Sequence, residues 1–269
     1  MGRGEPSSEQ SLATRTNRTA TSRPFLELDR VSLSYGPIQA VQHVSLQFHN
    51  GRVLSLVGDN GAGKSTIVKL ITGLLVPAEG RVLLDGQPVR GWCPSAARKA
   101  GIETVFQTKA LAPKQAASLN VFLGREAKDR FGFVRVRWQE TETARLLAEL
   151  GYTRHGLATR PVGGLSGGEQ QGIAIGRASY FGASMLILDE PTTGLSLRQS
   201  KHVLEIVAAT KEKGLAILFI SHNIFDAVEV ADDVAVLDRG VVVNQYLKSD
   251  ITALSLMEFM ENTAAGRGG

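Results

Sequence analysis

The run Gly58-Asp59-Asn60-Gly61-Ala62-Gly63-Lys64-Ser65-Thr66 holds glycines, a lysine and hydroxyls at the spacing of a phosphate loop. Glycines permit turns that aim several backbone N–H groups at one point. A helix that starts on this run adds its unsatisfied amides and the positive end of its dipole. Lys64 is placed to reach the terminal phosphates of a nucleotide, and the Ser65 hydroxyl to ligate Mg²⁺. A glycine turn followed by a chance Lys-Ser pair is the bland alternative. The apolar strand before the run and the amphipathic helix after it argue against that reading.

Two further groups carry potential chemistry. Asp189-Glu190 ends the apolar run from Met185 to Leu188 and precedes Pro191. A carboxylate at a strand's C-terminal edge, beside a phosphate loop, suits Mg²⁺ through Asp189. Glu190 would then polarise an attacking water as a general base. Alone, such a pair marks a turn; the phosphate loop gives it a partner. Leu165-Ser166-Gly167-Gly168-Glu169-Gln170-Gln171 opens a helix and by itself reads as a cap.

These groups need a scaffold. Leu26, Leu28, Val31 and Leu33, then Val44, Leu46 and Phe48, alternate with polar residues and predict half-buried antiparallel strands. Val53 to Val57, Met185 to Leu188 and Ala216 to Ile220 read as fully buried strands. Ile67, Leu70, Ile71 and Leu74 predict a helix over 65–75, and residues from about 108 to 183 read mostly helical, with helices over 139–150 and 168–181. A further helix is expected over 199–213, a hairpin around Asp238-Arg239-Gly240, and a short apolar helix after residue 250.

Parallel-type strands that alternate with helices define an α/β fold with a phosphate-loop NTPase core. Its mostly parallel sheet carries flanking helices, an antiparallel β subdomain in front and a helical subdomain in the middle. The expected organisation is a disordered tail over 1–24 and a nucleotide-binding domain over 25–250, with its helical part at about 108–183. A short helix and a flexible end follow over 251–269.

Composition narrows the function. Hydrophobic residues make up 43% of the 269 and charged residues 21%, so a sizeable core is available. The formal net charge of +4, from 30 basic and 26 acidic residues, is scattered and gives no nucleic-acid footprint. The one cysteine, Cys93, excludes a disulfide within the chain, and with Trp92 it reads as packing in a loop. The longest apolar runs are strand-sized, far from the roughly 20 residues of a spanning helix. Membrane association is therefore expected through a partner. The Ser-, Thr- and Arg-rich start lacks the apolar stretch of a secretory signal.

With these motifs in hand, the chain resembles the ATP-binding cassette family over about residues 25 to 262. The family's order is kept: phosphate loop, Gln107, Ser166-Gly167-Gly168, Asp189-Glu190, His222. The resemblance implies that two cassettes dimerise head to tail. Each ATP then lies between the phosphate loop of one copy and Ser166, Gly167 and Gly168 of the other. It implies that Gln107 contacts Mg²⁺ or the water and links the core to the helical lobe. It implies that His222 bonds the γ-phosphate and fixes the geometry around Glu190, and that Tyr35 stacks on adenine. Taken alone, Gln107 is polar surface, His222 a strand-end histidine and Tyr35 a half-buried strand residue. Two departures from the family pattern stand out. Glu169-Gln170-Gln171 replaces the usual Gln-Arg-Gln, and Ser196 stands where many members have aspartate.

One cassette, no sustained heptads, and an intact set of Lys64, Asp189, Glu190 and His222 favour the motor of a membrane transporter over a soluble ATPase or a non-hydrolysing module. The stretches 101–107, 110–113 and 122–126 resemble bacterial monosaccharide importers of the fructose, ribose and xylose type. The expectation is an ATPase at the cytoplasmic face of the inner membrane, with ATP and Mg²⁺ as cofactors. Its expected partners are a second cassette, transmembrane permease subunits and, indirectly, a solute-binding protein, with no nucleic acid. A cassette for another solute or for lipid, or a soluble non-transport ATPase, is the alternative.

Overall fold

The computed structural model describes residues 23–106 and 110–265. Residues 1–22 of the tail expected over 1–24, Gln107, and residues 266–269 of the end expected over 251–269 lie outside the described residues. The chain opens with β1 (Leu26–Tyr35), β2 (Ile38–Phe48) and β3 (Val53–Val57), followed by α1 (Lys64–Ile71). Next come β4 (Glu79–Leu84), β5 (Gln87–Pro88), α2 (Pro94–Lys99) and β6 (Ile102–Val105). The middle holds α3 (Ala117–Val121), α4 (Val136–Glu149) and α5 (Gly167–Tyr180). Then β7 (Met185–Asp189), α6 (Leu197–Glu212), β8 (Ala216–Ile220) and α7 (Ile224–Val230) alternate. β9 (Asp233–Asp238), β10 (Val241–Leu247) and α8 (Ala253–Ala265) complete it.

One sheet, ordered β2-β1-β4-β5, is antiparallel throughout. The larger sheet runs β10-β9-β3-β8-β7-β6 and is parallel except at the β10 edge. A parallel sheet covered on both faces needs apolar side chains in both directions, which is why its strands read as unbroken apolar runs. Val53, Val57, Leu186, Leu188, Ile217 and Phe219 point to one face, in a core shared with α5, α6 and α7. The alternate residues Leu54, Leu56, Met185, Ile187, Leu218 and Ile220 point to the other, against α1 and the antiparallel sheet. Each such side chain contributes about 1.5–3 kcal/mol by leaving water. The polar exception is Ser55, whose hydroxyl donates to the Ala227 carbonyl at 2.7 Å and so fastens α7 to β3.

In the middle of the chain, buried Phe122 meets the edges of Trp138, Tyr180 and Phe181 with centroids 5.6, 5.3 and 5.6 Å away, which joins the ends of α3, α4 and α5. The structure departs from the sequence expectation at two places. Helix α1 stops at Ile71, where Gly73 turns left-handed (φ +70°) and its amide returns to the Leu70 carbonyl at 3.2 Å; the buried Trp92 indole also donates to the carbonyls of Leu70 and Ile71 at 3.2 and 3.0 Å. Residues 123–135 are not helical but double back as a hairpin. There the Asp129 carboxylate accepts from the amides of Phe131 and Phe133 at 2.8 and 3.0 Å, an aspartate turn that competes with helix.

Candidate functional site

Strand order assembles the site. β3 ends in the phosphate loop, β7 ends in Asp189-Glu190, and β8, lying between them, ends just before His222. Leu56, Ile220 and Asp189 stand abreast across the three strands, so all three ends open at one sheet edge, the C-terminal edge where parallel sheets bind ligands.

The loop from Gly58 to Thr66 is shaped by what surrounds it. A Cβ at Gly58 would lie 2.1 Å from the Leu237 carbonyl oxygen, and one at Gly63 2.5 Å from that of Ala40. Both positions therefore require glycine, and both have positive φ. The Gly240 amide donates to the Ala62 carbonyl at 2.8 Å and the Ala62 amide to that of Asp59 at 3.1 Å, so Asn60 and Gly61 form the tip of a pinned turn. The Lys64 ammonium folds across this turn and donates to the carbonyls of Gly58 and Asp59 at 2.5 and 2.9 Å. Burial pulls its pKa below the ordinary value, while the charges of Glu190, Asp59 and Asp189 push it back. Burial, and then the charge of Glu190, hold Asp189 above the usual carboxylate range against the pull of Lys64. Thr66 is buried at the start of α1 and Ser65 is exposed beside it. Asp189 and the Ser65 hydroxyl are hard oxygen donors, the kind Mg²⁺ takes in ones and twos when phosphate and water complete its shell. The donor set fits that ion.

Glu190 occupies a left-handed backbone conformation, φ +53°, a strained one for a residue with a side chain. Its amide donates to the Ile220 carbonyl at 2.9 Å, which holds the turn against β8. The carboxylate is thereby brought to His222. The His222 ring Nδ1 lies 2.7 Å from Oε2, and its backbone N–H donates to Oε1 at 3.0 Å. The Thr193 hydroxyl donates to Oε2 at 3.1 Å. Thr193 escaped the sequence reading; its place three residues after Glu190 was the available signal.

Ser166 caps α5. Its side-chain oxygen accepts from the Glu169 amide at 3.2 Å, and its own amide donates to the Glu169 carboxylate at 2.7 Å. This reciprocal box gives Glu169 a structural reason. The Ser166 oxygen is the acceptor there, so its hydrogen can still be offered to an anion. The Gly168 carbonyl accepts from the Tyr152 hydroxyl at 2.7 Å. These bonds of Ser166 and Gly168 stay within the helical part and do not reach the phosphate loop. Ser196 caps α6 in the same way with Gln199, at 3.4 and 3.1 Å, so the serine does the capping an aspartate would do. Tyr35 ends β1 44% exposed, with the Lys69 ammonium of α1 5.9 Å from its ring centre. Its face is available for stacking next to the helix that follows the loop.

A pinned phosphate loop whose lysine lies among three carboxylates, with a glutamate held by a histidine just past the end of the neighbouring strand, defines an ATP-hydrolysing cassette. The ABC transporter family model matches residues 41–193, and the chain belongs to that family. It is 39% identical to the xylose/arabinose import ATP-binding protein of Sulfolobus acidocaldarius over 90% of this chain and 96% of that one. It is 37% identical to the fructose import ATP-binding protein of Rhizobium meliloti over 86% of this chain and 93% of that one. A ribose import ATP-binding protein of Burkholderia ambifaria is 36% identical over 91% of this chain, which spans about half of that relative (48%). Among solved structures, the ADP conformation of an ATP-binding cassette of an ABC transporter superposes with a TM-score of 0.78 at 23% identity, covering 92% of this chain and all of that one (100%). A dimeric cassette in a post-hydrolysis state, bound to ADP and phosphate, gives 0.69 at 25% identity over 83% and 98% of the two chains.

Proposed function

We propose that this chain powers the import of a monosaccharide, working as a head-to-tail pair of cassettes at the cytoplasmic face of the inner membrane. Transmembrane permease subunits would sit above it, with a solute-binding protein delivering the sugar. One observation carries this reading: near-complete alignment with import proteins for pentoses and for fructose, at 39% and 37% identity, in a chain that keeps every hydrolytic group. The cassette is taken as residues 25–250, with the part at about 108–183 as the lobe that meets the permease.

In the working site Tyr35 stacks on adenine. The amides from Gly58 to Thr66 and the Lys64 ammonium hold the phosphates. Mg²⁺ would be held by Ser65 and Asp189, with Gln107, and would supply neutralisation of phosphate charge. Glu190 accepts the proton of the attacking water, and His222 fixes its carboxylate. Ser166, with the amides of Gly167 and Gly168, offers a helix N-terminus to the partner's nucleotide.

The test is uptake of labelled pentoses and hexoses by cells whose copy carries Glu190→Gln. Loss of uptake of one of these sugars, restored by the natural chain, is expected. Unchanged uptake of all of them, with ATPase activity lost in the purified variant, would overturn the sugar reading and leave the hydrolytic site standing.

A further inference from the structure

Between α3 and α4 the chain leaves the body of the protein: residues 123–137 are exposed throughout, except for Ala127. The excursion is nevertheless built. The Asp129 amide donates to the Phe133 carbonyl at 2.9 Å and the Arg135 amide to that of Ala127 at 2.8 Å, closing a hairpin with Lys128 opposite Val134. At its base Arg125 pairs with Glu103 of β6, and its guanidinium lies 4.8 Å over the Phe181 ring. The tip is thus held out on a fixed arm.

What the tip presents is unusual for a free surface. Phe131 and Phe133 are 70% and 72% exposed, and Leu123, Val134 and Val136 are exposed with them. Several large apolar groups held together in water mark an interaction site rather than ordinary surface. Four cations stand around them, Lys128, Arg130, Arg135 and Arg137, with Glu126 and Asp129 as the acids of the same stretch. None of the four comes within ion-pair distance of a carboxylate among the described residues. The nearby acids are turned to backbone amides, Asp129 to those of Phe131 and Phe133 and Glu126 to that of Gly124. Arg130 and Arg135 instead lie over the rings of Phe131 and Trp138, at 4.6 and 5.4 Å.

A convex apolar tip offers no groove to a partner's side chains, whereas a fluid interface conforms to it. Aromatic rings settle at headgroup depth, and arginines beside them meet phosphates. We propose that the hairpin over 123–137 rests on an anionic phospholipid surface, so that the cassette touches the leaflet directly as well as through a permease. The complementarity to a negatively charged bilayer interface is that of exposed phenylalanines flanked by cations that form no salt bridge among the described residues. It does not depend on which solute the transporter carries.

The experiment is co-sedimentation of the purified full chain with vesicles of phosphatidylglycerol and phosphatidylcholine, and with phosphatidylcholine alone. Binding to the anionic vesicles, weakened by salt, is expected. Each cation at an anionic leaflet is worth about fivefold in partitioning, so Arg130→Gln with Arg135→Gln should lower binding more than tenfold. Phe131→Ser with Phe133→Ser should lower it on the order of tenfold. Both variants should keep the ATPase rate of the natural chain in solution, which verifies their folding. Equal binding to neutral vesicles, no binding, or binding that survives in both variants would overturn the proposal. So would hairpin variants that bind vesicles normally but fail to assemble with detergent-solubilised permease, which would make the tip a protein contact.

Discussion

The imidazole of His222 stands 2.7 Å from the Glu190 carboxylate, while the His222 backbone amide holds the other carboxylate oxygen at 3.0 Å. An ionised carboxylate only accepts, so ring Nδ1 carries the proton of that bond. In the neutral ring Nε2 is then an acceptor; donation to Glu190 and to a phosphate at once requires the doubly protonated ring. The two side chains therefore act as one device.

Groups that act as one device give non-additive losses. Glu190→Gln should lower kcat by about 10²–10⁴ with ATP affinity kept. His222→Ala should also slow turnover, and the double variant should be no slower than the worse single one. Thr193→Val should cost less than either, with Thr193→Ser restoring the rate. Steady-state ATPase assays and direct nucleotide titrations check this set. Losses that multiply in the double variant would separate the roles of Glu190 and His222.

The parts legible in the sequence are those whose signal is local. The phosphate loop is read from its own spacing, and Ser166-Gly167-Gly168 by itself reads as a helix cap. The structure shows the cap to be a reciprocal box with Glu169, which enters the sequence reading only as a departure from the family pattern. The buried strands show as apolar runs. What escaped depends on distant neighbours. β6 is four residues at a sheet edge, too short and mixed for a clear period. α7, Ile-Phe-Asp-Ala-Val-Glu-Val, is rich in branched and aromatic residues that favour strands. Asn223, whose side chain accepts from the amides of Phe225 and Asp226, was its readable start signal. Thr193 needed the left-handed turn at Glu190, and no local pattern states that β7 and β8 are neighbours.

Asp189 gives the site a pH signature. Its ordinary carboxyl value of 3.8 is raised in the fold, first by burial and then by Glu190. The folded chain thus holds this proton more tightly than the unfolded chain does. Between the ordinary and the raised value, stability falls as pH rises, because the native state binds more protons there. The contribution is full below the ordinary value and lost as pH climbs through the folded one. Asp189→Asn should remove this slope. The nucleotide-free variant should melt higher than the natural chain near neutral pH, with the difference closing toward about pH 4, while ATP hydrolysis is lost. Thermal melts across that range decide it; a variant less stable at neutral pH would show that the Lys64 attraction outweighs burial.

Gly172 lies inside α5, where replacing glycine by alanine normally gains about 1 kcal/mol of helix propensity. Here a Cβ would fall 2.3 Å from Cε2 and 2.6 Å from the hydroxyl oxygen of Tyr152. That ring cannot simply retreat. Its hydroxyl donates to the Gly168 carbonyl at 2.7 Å, and the edge of the His202 ring packs against it at 4.8 Å between centroids. Overpacking costs typically 1–3 kcal/mol, and a displaced hydroxyl forfeits a hydrogen bond of about 1 kcal/mol. These terms together exceed the propensity gain, so Gly172→Ala should destabilise the chain by about 1–3 kcal/mol in urea melts. In a Tyr152→Leu background the space opens, and the same substitution should become neutral or stabilising, a coupling that a double-mutant cycle isolates. If Gly172→Ala stabilised the natural chain, the contact between α5 and Tyr152 would have to be looser than these distances require.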